Sequence, residues 1–198
     1  MAAGRLDAFI QAGGRSRRMG RNKARLELGT TTILGRGVAA ARAVAGRVVL
    51  VTDEPEVYAE YGLESVPDRW PGAGPLGGIG TALGHASSEP ILVLACDVPL
   101  VTPPLLELLI ERSAGADVAV CETRAEGLHP LVAVYSRRCL PAIERRLAEG
   151  RRRVVSFYDD VVVARIGEDE LVQRGLDPGQ LANVNTPEEY SGLRARLK

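Results

Sequence analysis

The chain has 198 residues, 45% of them apolar, and its 25 basic residues balance 25 acidic ones. That length suits one domain spanning residues 1–198, able to bury about 70% of its extended surface. The even charge excludes a general nucleic-acid binder, which needs a basic surface, and no stretch approaches the ~20 apolar residues of a membrane helix.

The first ten residues carry one basic side chain and no leader-like apolar region, so a cytoplasmic location is expected. Leu6 to Gln11 reads as the first strand. A helix from about Thr32 to Ala45 opens on a threonine cap and stops at Gly46. Arg47–Thr52 is a buried-type strand, Glu56–Tyr61 a short helix, and Leu63–Pro67 a third strand. Asp68 to Gly78 is loop-like, followed by a helix from roughly Gly78 to Ala86. Ile91–Ala95, five apolar residues in a row, is the clearest central strand. Pro103–Ser113 is helical, Asp117–Glu122 and Pro130–Tyr135 are strands, and Arg138–Glu149 is an amphipathic helix. Val161–Ile166 is a late strand and Pro187–Leu197 a final helix. This alternation predicts an α/β fold with a mainly parallel central sheet in a Rossmann-like three-layer sandwich.

Three cysteines, widely spaced with no C-x-x-C pair, read as reduced and partly buried thiols. Two histidines, His85 and His129, cannot build a histidine-rich metal site. The segment after the first strand is richer. Gly13 and Gly14 are followed by four arginines, a serine and a lysine, all within eleven residues. In α/β sheets ligands bind at strand ends. A glycine pair there lets backbone N–H groups approach an anion. Arg18 can clamp phosphate oxygens at two points, while Lys23 supplies a compact positive charge. The spacing is neither G-x-G-x-x-G nor G-x-x-x-x-G-K-[ST], which removes the main support for a nicotinamide-dependent oxidoreductase or a P-loop protein.

Gly13-Gly14-x-x-x-Arg18-Met19-Gly20-x-x-Lys23 resembles the signature loop of nucleotidyltransferases that activate sugars, terpenoid precursors and molybdopterin. Further motifs follow in the family's order: Gly74-Pro75-Leu76-Gly77-Gly78, Cys96-Asp97-Val98-Pro99, His129-Pro130, Gly150-Arg151-Arg152-Arg153-Val154 and Asn183-Val184-Asn185-Thr186-Pro187-Glu188-Glu189. Together they are most similar to the molybdenum cofactor guanylyltransferase family. The resemblance implies a nucleotide-diphospho-sugar transferase type of fold. It also implies transfer of GMP from GTP to molybdopterin with loss of pyrophosphate, and transient contact with other cofactor-biosynthesis or acceptor proteins.

By the same resemblance Gln11, Ala12, Gly13, Gly14, Lys23, Asp68, Gly77 and Asp97 contact the nucleotide. Arg18, Lys23 and Asp97 serve catalysis, and His129, Arg152 and Arg153 meet the acceptor. Asp97 would hold Mg²⁺, or Mn²⁺ as a substitute, with Asn185 as a second oxygen donor; Mg²⁺ commonly takes few protein carboxylates beside substrate phosphates. Two residues depart from the family's habit: Gln11 stands where leucine is usual and Asn22 where aspartate is usual. Three other readings remain open on the residues alone: a cytidylyltransferase, a guanylyltransferase with a different phosphorylated acceptor, and a nucleotide-binding module without chemistry.

Overall fold

The structure, a computed structural model, describes residues 6–13 and 22–196. In chain order its elements are β1 (Asp7–Gln11), a small hairpin of β2 (Glu27–Leu28) and β3 (Thr31–Thr32), α1 (Ile33–Val44), β4 (Arg47–Val51), β5 (Glu64–Val66), α2 (Pro75–His85), β6 (Ile91–Ala95) and α3 (Pro103–Arg112). There follow β7 (Val118–Thr123), β8 (Gly127–Tyr135), α4 (Leu140–Ala148), β9 (Val163–Gly167), α5 (Glu168–Gln173) and α6 (Pro187–Arg196). Short 3₁₀ helices cover Lys23–Arg25, Pro55–Tyr61 and Val154–Asp160, among others.

Seven strands form one sheet in the order β5-β4-β1-β6-β8-β7-β9. Every neighbouring pair is parallel except the two made by β8, which runs against β6 and β7. Side chains alternate across the sheet, so each strand feeds two cores. Ala8, Ile10, Leu50, Leu92 and Leu94 pack on α1 and α3 through Leu34, Val38, Leu105 and Leu109. Phe9, Val49, Val51 and Val93 pack on α2 and α4 through Leu76, Ile79 and Ile143. Each of these leucines, isoleucines and phenylalanines stabilises the fold by about 1.5–3 kcal/mol relative to exposure. The three-layer, mainly parallel sandwich expected from the sequence is the fold observed.

Several boundaries differ, each for a local reason. The helix expected from Gly78 begins at Pro75, so Gly77 and Gly78 lie within it rather than in a loop. Gly74 turns the chain with φ 72° and ψ −157°, a conformation glycine tolerates, and Pro75 is preset for a first helical turn. The strand expected to open at Pro130 begins at Gly127. Its pairing with β7 slips between Val120 and Glu122, and this irregularity accommodates a proline that cannot donate to the ladder. The segment Pro55–Tyr61 is a 3₁₀ turn closed by Gly62 in the left-handed region. The β2–β3 hairpin, the 3₁₀ helix Val154–Asp160 and the short α5 lack an apolar period long enough to announce them. Cys121 and Cys139 are buried, and burial pushes both thiols up to about 12. Among the described residues no helix is long and apolar enough to cross a membrane.

Candidate functional site

Because β1, β4 and β6 are parallel, their C-terminal ends share one edge, where Gln11 lies beside Val51 and Ala95. The chain leaving each strand there walls a pocket of about 630 Å³. Gln11, Ala12 and Gly13 come from β1, Thr52 and Asp53 from the end of β4, and Cys96 and Asp97 from the end of β6. Asn22, Lys23, Tyr58, Asp68, Gly78, Leu131 and Asn185 complete much of the lining.

Lys23 is placed by its neighbours. Asn22 caps the 3₁₀ turn Lys23–Arg25: its Oδ1 accepts from the Ala24 N–H at 3.1 Å. The other end of that carboxamide donates to the Tyr58 hydroxyl at 3.0 Å, and Ala24 is buried in the core. The lysine ammonium therefore leaves an anchored turn, and it donates to both the Asp97 carboxylate and Asn185 Oδ1, the latter at 2.9 Å. Lys23 and Asp97 are only 18% and 15% exposed, so solvent screens their attraction incompletely.

Asn185 reaches this point through a cap motif. The Val184 N–H donates to the Asp97 carbonyl at 2.9 Å, stitching the two segments together. Thr186 precedes α6, its Oγ1 accepting from Glu189 N at 3.2 Å, while Glu189 Oε2 accepts from Asn185 N and Thr186 N at 2.6 and 3.0 Å. This reciprocal capping box explains why asparagine, threonine, proline and glutamate follow at those intervals. Val184 is buried beside Leu28, Ile33 and Leu193, which fixes the segment from below.

Two oxygens, one from the segment just past β6 and one from the segment before α6, thus converge on one cationic nitrogen. An ammonium stands where a divalent ion bound by one carboxylate and one amide oxygen would stand, and that donor chemistry fits Mg²⁺ or Mn²⁺. Among the described residues no group of three or more His, Cys, Asp or Glu side chains could cage a metal alone. The remaining ligands of such an ion would have to come from substrate and water.

The other candidates divide. Asp68 lines the pocket, but its Oδ1 accepts from Trp70 N at 2.9 Å and Thr81 Oγ1 at 2.8 Å, tying the turn to α2. Gly77 faces away: a Cβ there would sit 3.0 Å from Ala73 Cβ and 3.1 Å from the Trp70 carbonyl, so glycine serves packing, and Gly78 lines the pocket instead. His129 is buried outside the lining, its Nε2 2.8 Å from Thr123 Oγ1, and burial holds its pKa below the usual histidine value. Arg152 bonds the Gly72 carbonyl at 2.9 Å, bracing a pocket-wall turn, while Arg153 is exposed at the cap of Val154–Asp160. Gly14 and Arg18 lie outside the described residues. Tyr58, Thr52 and Asp53 were not expected; Thr52 and Asp53 carry one signal, their place just past the C-terminal end of β4 beside β1, and Tyr58 lies on the 3₁₀ turn that follows.

The profile of the MobA-like NTP transferase domain matches residues 8–162. A probable molybdenum cofactor guanylyltransferase of Pelotomaculum thermopropionicum is 41% identical over 190 residues, covering 95% of this chain and 90% of the relative. Another from Carboxydothermus hydrogenoformans is 37% identical over 188 residues, covering 95% and 94%. The crystal structure of molybdopterin-guanine dinucleotide biosynthesis protein A from Archaeoglobus fulgidus superposes with a TM-score of 0.82 at 24% identity, covering 96% of this chain and 97% of that one, and so supports the fold. The resemblance drawn from the motifs is borne out: this chain belongs to the MobA-like NTP transferase family.

Proposed function

We propose that this nucleotidyltransferase moves GMP from GTP to the phosphate of molybdopterin, releasing pyrophosphate. The reading is carried by one observation: Asp97 and Asn185 converge on the Lys23 ammonium at the strand edge that also presents the Gly13 backbone. Substrate and product follow the relatives named as molybdenum cofactor guanylyltransferases.

The acceptor's phosphate oxygen attacks the α-phosphorus; the bond from that phosphorus to the bridging oxygen breaks, and pyrophosphate leaves. A phosphate monoester is already an anionic nucleophile, so alignment and charge neutralisation matter more than proton transfer. Gly13, exposed and without a side chain, lets the backbone come close to the polyphosphate. Lys23, released from Asp97 by the incoming phosphates, follows them as a point charge. Arg18 supplies a second cation by its place in the loop motif. Asp97 and Asn185 would hold Mg²⁺, which when bound supplies charge neutralisation at the phosphate oxygens. The Asn22–Tyr58 brace keeps the lysine turn from drifting while its ammonium changes partner.

Pyrophosphate release measured with GTP, CTP and ATP in turn, with and without molybdopterin and Mg²⁺, tests this reading. GTP turnover that needs both molybdopterin and the divalent ion is the expected result. Consumption of CTP in preference to GTP would replace it with the cytidylyl alternative.

A further inference from the structure

A third cluster of buried side chains, Leu28, Ile33, Val184 and Leu193, lies apart from the two cores that sandwich the sheet. Every segment that brings a polar group to the Lys23 ammonium also sends an apolar one here. Leu26 follows Lys23 by three residues, Leu100 follows Asp97 by three, and Val184 directly precedes Asn185. The three corners of the polar contact are thus spaced by one small piece of packing.

The corners are not held equally. Lys23 leaves a turn anchored by Ala24 and the Asn22–Tyr58 bond. Asp97 leaves β6 in a turn that α1 grips, the Arg36 Nε–H donating to the Pro99 carbonyl at 2.9 Å. Asn185 depends on α6. The Val184 N–H bond to Asp97 fixes the chain just before it, but beyond that point Glu189 of α6 holds the Asn185 and Thr186 N–H groups. The helix itself is lightly attached. From Pro187 to Ala195 only Leu193 is buried and Tyr190 half-buried, and the rest are exposed. The Tyr190 hydroxyl donates to the Glu27 carbonyl at 2.6 Å, which ties α6 to the β2–β3 hairpin across 163 positions. Among the described residues this is the one side-chain hydrogen bond from α6 to another element. A helix with so few buried contacts opens at low cost.

We propose that docking of α6 completes the site, with Tyr190 as its positioning residue. The phenol holds α6 on the hairpin, α6 holds the Asn185 amide, and Asn185 Oδ1 stays in line with Asp97. The assignment rests on the divalent-ion reading of Asp97 and Asn185 given above. Linkage then makes a further demand: an ion that binds the docked form alone must also stabilise docking. A tyrosine that served the fold only would show no such coupling.

The test compares wild type with Tyr190→Phe, which loses one hydroxyl and keeps its ring, and with Arg194→Ala, an exposed control on the same helix. Hydrogen–deuterium exchange reads the opening of α6, and electron paramagnetic resonance reads Mn²⁺ affinity in the presence of GTP. Mn²⁺ with GTP should slow exchange across α6 in the wild type. In Tyr190→Phe, α6 should exchange about 3- to 10-fold faster and Mn²⁺ affinity should fall by a similar factor, the worth of one hydrogen bond. Raised Mg²⁺ should restore kcat in that variant to within about twofold, because the lost contact is a matter of occupancy. Arg194→Ala should match the wild type in both readings. Faster exchange in Tyr190→Phe with unchanged Mn²⁺ affinity would overturn the proposal, as would wild-type exchange indifferent to Mn²⁺ and GTP. Equal losses in Arg194→Ala and Tyr190→Phe would overturn the tyrosine's part. Equal Mn²⁺ affinity in wild type and Asp97→Ala would instead overturn the divalent-ion reading on which this stands.

Discussion

The same parallel strands end very differently at their two edges. At the N-terminal edge polar groups are mutually satisfied. Asp7 Oδ2 accepts from Ser87 N at 2.7 Å, Ser87 Oγ at 2.8 Å, and Ser88 N and Arg47 Nη1 at 3.3 Å. Arg47 also forks onto Glu64 at 2.6 and 3.0 Å, and His85 Nε2 lies 2.9 Å from the same carboxylate. At the C-terminal edge Asp68 and Asn22 are tied into their turns, but among the described residues the Asp97 side chain meets Lys23 alone and Gln11 makes one side-chain bond. The first edge closes the sheet. The second is arranged around space: a pocket of about 630 Å³ opens there. A charge with several fixed partners contributes stability, whereas a charge with one exchangeable partner is available to a ligand.

Breaking each edge should therefore give opposite phenotypes. The largest effect is expected at the open edge: Asp97→Ala should cut the rate of pyrophosphate release by about 10²- to 10³-fold while Tm moves little. At the closed edge the pattern inverts. Asp7→Ala leaves Arg47 and the Ser87–Ser88 turn without their shared acceptor, so chemical denaturation should report a loss of about 2–4 kcal/mol, with kcat/KM for the folded protein retained. A Thr186→Ala variant sits between the two. It removes the α6 cap, costs about 1 kcal/mol, and should also raise KM because Asn185 loses its fixed approach.

The smallest effect sharpens the contrast through pH. Burial alone would raise the Asp7 carboxyl, but the Ser87 and Ser88 bonds and the Arg47 charge outweigh it and hold it below its ordinary value of 3.8. A carboxyl lowered on folding contributes stability that is present above its unfolded value and lost as pH falls through its folded value. Stability curves of the wild type and Asp7→Asn, recorded through the acid range, should converge below that point. A constant gap at all pH values would show that the charge of Asp7 is not the stabilising element.

Much of this architecture was readable from the chain. Ile91–Ala95 announced a central strand because a strand covered on both faces needs no alternation, and all five residues are buried. Lys23, Asp97 and Asn185, separated by as many as 162 positions, could be grouped only through motif resemblance, and the fold brings their side chains together. Periodicity failed where chemistry is carried by turns. Tyr58 lies on a 3₁₀ turn too short to show a pattern, and its bond to Asn22 spans 36 positions. By resemblance His129 is tied to the acceptor through the His129-Pro130 motif, and in the fold it is a buried neighbour of Thr123. Gly77 and Gly78 are indistinguishable in sequence. Only packing shows that the first accommodates Trp70 and the second Gln11.

The most direct test of the open-edge site is Mn²⁺ binding followed by electron paramagnetic resonance, in the presence of GTP, for the wild type and Asp97→Ala. Loss of at least tenfold in Mn²⁺ affinity on removing that carboxylate, with the protein still folded, is the expected result. Equal affinity in the two proteins would place the divalent ion elsewhere and contradict the site described at the ends of β1 and β6.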